Sequence, residues 1–359
     1  MLHHKSLRPQ FFNVSPRQDD SLPLNRLLVV GAGASIEECR RSGNYPFDES
    51  RCFPTTRNFC AKLFDPTSPV LLKATASYLR QYGVPFNAKL LDATVGVSFS
   101  GDDIENGPVR VFIGLEALSP EFNNIERLCE HAWHVFGNDS EFWTAFIHDG
   151  IYLHLFARFT EQFGLGLGKN MVAGTTVAKT LCPGDTVLNL NYDIAFDLAL
   201  KQAGKSATYS PEVRNGTINV MKPHGSFNFY VNSKNGNCFF EEPDKIPGSI
   251  GIPDPAGGIF FTQHGFIPPR LNKSYAQHPT AEIILSTGRP FLPRVVTFWG
   301  VGLTDSDVDL LAVYREAVTD ARVVEFINPS VEAYENAKRL LEIPITYFDS
   351  LDRWSESLK

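Results

Sequence analysis

The sequence predicts an α/β protein with a doubly wound parallel sheet and a mainly helical insertion. Two observations lead to this prediction. From residue 184 onward, short apolar runs alternate with helical patterns, as strands and crossover helices do in a parallel sheet. An earlier apolar run at 26–30 ends in glycines, as at the turn from a buried strand into a helix. We expect an N-terminal arm over 1–25 and one domain over 26–359, with the insertion or lid at 60–184.

The first elements follow in chain order. The arm carries three prolines among polar residues, which favours an extended segment. The strand at 26–30 turns directly into a helix. Within the insertion, Phe, Trp and Leu recur at helical spacing over 124–136 and 141–163, so two helices are predicted there.

The second half of the chain repeats strand and helix signals. Strands are predicted at 185–190, 218–222, 227–231, 295–299 and 323–327. Helices are predicted at 194–202, 307–319 and 331–341, and a Gly/Pro-rich loop at about 242–272.

Composition narrows the class of protein. Hydrophobic residues make up 43% and charged residues 20% of the chain, the balance of an ordinary soluble globular protein. The formal net charge of −7 argues against a dedicated nucleic-acid binder, which usually has a net basic face. No apolar run approaches the roughly 20 residues of a membrane helix. The N-terminus lacks the apolar segment of a secretory signal, so we expect a cytoplasmic protein.

The six cysteines are scattered and form no Cys-x-x-Cys pair. A zinc site or a disulfide framework is therefore not expected, and reduced thiols are.

The first candidate site is the glycine turn Gly31-Ala32-Gly33-Ala34-Ser35 after the first strand. Such a turn lets the backbone approach a pyrophosphate at a helix N-terminus. A dehydrogenase would carry a third glycine and an acidic residue about 20 positions later. Here Ile36 replaces that glycine and no clear acid follows. A tight strand–helix turn without a ligand is the structural alternative.

Polar residues also follow later strands. Asn191 and Asp193 come after the strand at 185–190, at the edge of a parallel sheet where ligands bind. Alternatively, Asp193 caps the next helix and Asn191 fills a turn.

His224 follows the strand at 218–222, within Pro223-His224-Gly225-Ser226. Histidine suits proton transfer near neutral pH, because its ordinary pKa is about 6.5. A histidine bonded to backbone in a loop is the common alternative.

Two further turns complete the candidates. Gly300 and Gly302 follow the strand at 295–299, and Asn328 follows the strand at 323–327. Asn328 either bonds a ribose or caps the next helix.

The order of these motifs resembles the sirtuin superfamily, and more narrowly the bacterial sirtuin-like NAD+ hydrolases of antiphage defence. The matching motifs are Gly-Ala-Gly-Ala-Ser, Asn-Tyr-Asp, Pro-His-Gly-Ser, Gly-x-Gly-x-x-Asp and Ile-Asn-Pro, over 26–60 and 184–348. The resemblance implies a Rossmann-like sheet. Protein-deacylating sirtuins carry Gly-Ile-Pro-Asp-Phe-Arg and a four-cysteine zinc module. This chain has Gly43-Asn44-Tyr45-Pro46 and Cys52-Phe53-Pro54 instead.

The resemblance implies that NAD+ is the substrate. Asn191 would hold the nicotinamide ribose and order a water, His224 would act as the base, and Asp193 would orient the ribose or offset charge. The implied cofactor-binding residues are Gly31, Ala32, Gly33, Ala34, Ser35, Gly225, Ser226, Gly300, Gly302 and Asn328. No metal is implied.

The resemblance also implies a regulated toxic effector that depletes NAD+ on infection. Regulation would come from homo-oligomer assembly or from a defence partner such as a HerA-type ATPase or a short Argonaute. A protein deacylase and a non-catalytic module that senses NAD+ or ADP-ribose remain as alternatives.

Overall fold

The computed structural model describes residues 25–43, 52–55, 124–136, 153–163, 170–212, 214–232, 238–243, 262–266, 281–282, 284–285, 293–305 and 307–359. All but the last residue of the predicted N-terminal arm lies outside the described residues, as does most of the first half of the predicted insertion.

The described residues form ten strands and eight helices. The strands are β1 (Arg26–Val30), β2 (Thr186–Asn189), β3 (Ala207–Tyr209), β4 (Ile218–Met221), β5 (Gly225–Asn232), β6 (Cys238–Phe240), β7 (Thr262–Phe266), β8 (Val295–Trp299), β9 (Val323–Ile327) and β10 (Thr346–Phe348). The helices are α1 (Ala32–Ser42), α2 (Ile125–Phe136), α3 (Leu153–Phe163), α4 (Val172–Ala178), α5 (Ala195–Gln202), α6 (Val308–Thr319), α7 (Val331–Leu341) and α8 (Leu351–Ser357).

The main sheet has seven strands in the order β10-β9-β8-β1-β2-β4-β3, and all of its neighbouring strands are parallel. The strand β1 lies near the centre, between β2 and β8. The chain therefore builds the sheet outward on one side of β1, through β2 and β4, before it returns to the other side at β8. The predicted strands and helices of the second half of the chain appear within two residues of their expected bounds.

Helices cover both faces of this sheet, as the alternating side chains of β1 show. Leu28 and Val30 pack into a core shared with α1, α4 and α5. Leu27 and Val29 pack into a second core shared with α6 and α7. Because successive strand residues point to opposite faces, a strand buried on both sides is expected to be mainly apolar, as β1 is. The predicted doubly wound parallel sheet is confirmed.

A second, antiparallel sheet has the order β6-β5-β7. It corrects the prediction of a loop over 242–272, because β7 lies within that stretch. The segment of β7 reads Thr-Gln-His-Gly-Phe, which has no strong strand pattern. Its backbone becomes a strand by pairing with β5, so tertiary pairing outweighs local propensity here.

The described parts of the predicted insertion are helical. An aromatic cluster joins α3 to its surroundings: Phe159 and Phe163 contact Phe53, and Phe156 meets Phe227 of β5 edge-on. The helix α4 packs against α1 and α5 on one face of the main sheet. Where the insertion begins and ends stays a prediction. None of the described helices is long and apolar enough to cross a membrane.

A buried carboxylate connects α1 to α4. Glu38 is 2% exposed and accepts hydrogen bonds from the backbone N–H groups of Gly174 at 2.6 Å and Ala173 at 3.3 Å, and from the Ser42 hydroxyl at 2.5 Å. The residue before α4, Met171, offers no side-chain cap. Glu38 therefore satisfies the first N–H groups of a helix that cannot cap itself. Burial raises the pKa of the Glu38 carboxyl, and these hydrogen bonds partly oppose the rise.

We expect Glu38→Ala to lower the free energy of unfolding by about 1–3 kcal/mol, because it leaves buried N–H groups unpaired. The matched control is Glu37→Ala, which removes a partly exposed ion pair with Arg41 and should cost less than about 1 kcal/mol. Chemical denaturation followed by circular dichroism measures both. An equal loss in the two variants would show that Glu38 does not stabilise α4.

Candidate functional site

The candidate site lies at the carboxyl ends of β1, β2 and β8. The strand order reverses at β1, and ligands in open α/β sheets bind in the crevice at such a reversal. A cavity of about 860 Å³ occupies this position. Its volume is within the range of roughly 300–1,000 Å³ that is usual for ligand pockets.

Most of the predicted site residues line this one cavity. Those that do are Gly31, Ala32, Gly33, Ser35, Asn191, Asp193, His224, Gly300, Gly302 and Asn328. Ala34, Gly225 and Ser226 are not among the lining residues. The structure therefore brings together side chains from four strand ends that are far apart in the sequence.

The glycines of two turns pack backbone against backbone. The N–H of Gly31 donates to Trp299 O at 3.0 Å, and the N–H of Gly33 donates to Gly300 O at 2.9 Å. A Cβ on Gly33 would lie 2.8 Å from the Gly300 Cα, and one on Gly300 would lie 2.2 Å from the Ala34 nitrogen. Gly300 also has a φ of +64°, in the left-handed region. These glycines are thus needed for the contact between the turns, whether or not a ligand binds there.

A buried hydrogen-bond cluster connects the turn after β1 to the loop after β2. The Asn191 Nδ2 donates to Gly31 O and to the Ser35 hydroxyl oxygen, each at 2.9 Å. The Ser35 hydroxyl donates to Asp193 Oδ2 at 2.6 Å. Because both Nδ2 hydrogens of Asn191 are used, its side chain can meet a ligand or a water only as an acceptor, through Oδ1.

Asp193 lies at the predicted sheet edge and also bonds the first residue of the next helix, whose N-cap residue is Ile194. It lines the cavity but is only 5% exposed, and its Oδ1 accepts the backbone N–H of Ala195 at 2.9 Å, at the start of α5. Burial raises the pKa of the Asp193 carboxyl, while the hydrogen bonds from Ser35 and Ala195 and the charge of Lys222 oppose the rise. Both carboxylate oxygens have protein partners, so Asp193 acts on the site mainly through position and charge.

His224 lines the same cavity and is half-buried. Its Nδ1 lies 2.8 Å from Leu190 O. A carbonyl can only accept, so Nδ1 carries the hydrogen and the lone pair of the neutral ring is on Nε2. Its ring centre lies 6.1 Å from that of Tyr192. The histidine is thus oriented by backbone, as in the structural alternative, while still lining the cavity.

Two other predicted site residues, Ser226 and Asn328, form hydrogen bonds within the protein. Ser226 is fully buried and its hydroxyl donates to Tyr192 O at 3.2 Å. The Asn328 Nδ2 donates to Val301 O at 2.9 Å, and its Oδ1 accepts the N–H of Ser330 at 2.9 Å. Asn328 lines the cavity and also holds the loop after β8 against the start of α7.

Sequence reasoning missed several charged residues of the cavity wall. Glu126 of α2 is 6% exposed and lines the cavity. Arg41 of α1 also lines it and is bonded to Glu37 at 2.7 Å and to Asp352 at 2.9 Å, which joins α1 to α8. The Arg41 guanidinium lowers the pKa of the Asp352 carboxyl. The spacing of apolar residues predicts that Glu126 lies on a helix, but it does not predict which face of that helix packs toward the sheet.

In the part of the chain that the structure describes, no group of three or more His, Cys, Asp or Glu side chains is arranged to hold a metal ion. Cys39, Cys52, Cys129 and Cys182 are free thiols.

The fold and the cavity define an α/β protein with a ligand crevice at the switch point of its sheet. No protein-family model matches the chain, and no curated protein matches it. The chain is similar to solved structures of Sir2 homologues. One, a triple mutant in complex with 2'-O-acetyl ADP ribose, is 13% identical with a TM-score of 0.37, over 93% of this chain and 91% of that chain.

Two other Sir2 homologue mutants, each in complex with ADP ribose, are 12% identical over 94% of this chain and 95% of theirs, with TM-scores of 0.34 and 0.33. Likeness at such TM-scores assigns no site, so the residues of this chain alone define the one described above.

The contact between the turns predicts the effect of a single methyl group. We expect Gly300→Ala to lower the free energy of unfolding by about 2 kcal/mol or more, because the new Cβ adds left-handed strain and overlaps the Ala34 nitrogen. Gly302→Ala is the matched control, since a Cβ there meets nothing within 4 Å. Thermal and chemical denaturation of the two variants test this. If Gly300→Ala is as stable as Gly302→Ala, the turns are not held by this contact.

Proposed function

We propose that this protein is an NAD+ glycohydrolase, which cleaves NAD+ to nicotinamide and ADP-ribose. The observation that supports the proposal is the meeting of Asn191, Asp193 and His224 in one cavity with the glycine turns after β1 and β8. The choice of NAD+ as the substrate rests on the resemblance of the sequence motifs to those of the sirtuin superfamily.

Cleavage of NAD+ needs little acid catalysis from the protein. The nicotinamide of NAD+ is a pyridinium and leaves as a neutral molecule, so the site must hold the ribose and stabilise an oxocarbenium-like centre, as glycosidases do. The Asn191 Oδ1 is the acceptor atom suited to a ribose hydroxyl or to the attacking water. With Nδ1 bonded to Leu190 O, the neutral form of His224 has its lone pair on Nε2, which suits the base that takes the proton. The buried Asp193 would offset the developing positive charge.

The N-terminus of α1 suits the pyrophosphate. No acidic residue lies in the first turn of α1, and no side chain caps this end. The helix dipole favours an anion at such a position, beside the N–H groups of Gly33 and Ala34, which donate to the Gly300 and Gly31 carbonyl oxygens. Asn328 and Gly302, which also line the cavity, are proposed to face the adenosine half. Gly225 and Ser226 do not line the cavity, and the Ser226 hydroxyl bonds the carbonyl of Tyr192 instead.

Chromatography of NAD+ incubated with purified protein tests the proposal. We expect the wild type to release nicotinamide and ADP-ribose, and Asn191→Ala and His224→Ala to lower the rate by about 10²-fold or more. Exposed residues of the same types, Asn215 and His134, give the control variants Asn215→Ala and His134→Ala, which should keep wild-type activity.

Equal activity in all of these variants would refute the site assignment. Nicotinamide release that requires an acetyl-lysine peptide would favour the deacylase instead. Binding of NAD+ without any release would favour a sensing module.

We further propose that the enzyme is the regulated effector of a bacterial antiphage system and acts in the cytoplasm by depleting NAD+. A continuously active NAD+ hydrolase would kill its own cell, so activity must depend on self-assembly or on a partner. The proposed forms are a homo-oligomer and a complex with a HerA-type ATPase or a short Argonaute. We expect cellular NAD+ to fall only when phage infects cells that carry the complete system. A fall in uninfected cells that express this chain alone would argue against such regulation.

A further inference from the structure

A fully buried lysine contacts the loop after β2, which carries the candidate site residues Asn191 and Asp193. Lys222 follows β4 and has 0% of its side chain exposed. Its Nζ donates to Asp197 Oδ2 at 2.8 Å and to the backbone carbonyl of Asp193 at 3.0 Å. The ammonium group therefore joins the end of β4, which leads into His224, to the loop after β2.

The partner carboxylate of this lysine is itself part of a network. Asp197 of α5 accepts the Tyr209 hydroxyl at 2.7 Å and the Asn189 Nδ2 at 3.4 Å. The Asn189 Oδ1 in turn accepts the backbone N–H of Asn191 at 3.0 Å. Thus the network reaches the loop after β2 at two points, the N–H of Asn191 and the carbonyl of Asp193.

Stability alone does not account for this ion pair. Removing two charges from water is costly, and replacing a buried ion pair by apolar residues of similar shape often leaves a protein as stable or more stable. The ammonium group of Lys222 bonds the backbone carbonyl of Asp193, a candidate site residue. This contact indicates a role for the ion pair in the site.

We propose that Lys222 is a positioning residue for the candidate site: it fixes the loop that carries Asn191 and Asp193, and it places a positive charge at the backbone of Asp193. The inference deepens the proposed NAD+ hydrolase function and rests on it for its catalytic readout.

The charged and titratable groups that face Asp193 come from three elements. Asp197 lies on α5 and Lys222 follows β4, while Cys39 lies on α1 with Ser35, whose hydroxyl bonds the carboxylate. Burial raises the pKa of the Asp193 carboxyl, Lys222 lowers it and Asp197 raises it. Loss of the lysine charge should therefore raise the Asp193 pKa further.

Lys222→Met tests the charge, and the double variant Lys222→Met/Asp197→Asn separates positioning from folding. The single variant leaves a buried carboxylate without its cation and is expected to be less stable. The double variant removes both charges, keeps an acceptor for the Tyr209 hydroxyl and should recover stability. Lys205→Met is the matched control. Lys205 also donates to backbone carbonyls, of Lys179 and Leu181. Burial raises the pKa of Asp185, before the amino end of β2, and the Lys205 charge is among the contributions that oppose this rise.

Two measurements decide the proposal. In the double variant, kcat for NAD+ cleavage should fall by about 10-fold or more, with a smaller change in KM, because a misplaced loop weakens the reaction more than binding. In Lys222→Met, the Asp193 carboxyl should titrate at higher pH than in the wild type, as followed by ¹³C NMR of labelled aspartate with the resonance assigned through Asp193→Asn. Lys205→Met should change neither quantity.

A folded double variant with wild-type kcat, or an Asp193 titration that does not move in Lys222→Met, would overturn the proposal. The NMR titration needs no activity. If the wild type fails to cleave NAD+, the proposed function fails, and the titration still decides whether Lys222 controls Asp193.

Discussion

The backbone contact between the turn after β1 and the loop after β8 is the constraint on which the rest of the site depends. Gly31 and Gly33 come so close to Gly300 that no side chain fits between them. That contact fixes the Gly31 carbonyl, which accepts from Asn191 and so sets the loop after β2. The same loop presents Leu190 O, which orients His224. One glycine contact thereby positions side chains from two further strand ends, Asn191 after β2 and His224 after β4.

Much of this convergence follows from topology and could be predicted. The carboxyl ends of parallel strands lie at one edge of a sheet, so Asn191, His224 and Gly300 could be assigned to the same edge once each was placed after a strand. Continuous apolar runs such as 26–30 identify buried strands without knowledge of their neighbours, because both faces must be apolar. The order of the strands in the sheet was not needed for that step.

Other features depend on partners that local sequence does not reveal. The segment of β7 becomes a strand through its backbone pairing with β5. In the sequence, Lys222 is simply the polar residue at the end of a predicted strand. Its ion pair with Asp197 of α5 depends on the packing of that helix against the sheet. The apolar periodicity of the sequence predicts the helix that carries Glu126, but it does not show which side of that helix faces the cavity. In each case the decisive partner lies on another element.

The structural and catalytic interpretations of the site residues are compatible, and hydrogen-bond capacity shows why. Asp193 helps to begin α5 through Oδ1 and orients Ser35 through Oδ2, so it serves the fold with both oxygens. Asn191 gives both amide hydrogens to the protein and keeps its acceptor oxygen as the atom suited to a ligand. His224 gives Nδ1 to the backbone and keeps Nε2 as its basic atom. A residue whose position is fixed by one polar atom presents its other atom with little freedom, which is what preorganised catalysis requires. The bonds that first suggest a merely structural role are thus the means by which these side chains would act on a substrate.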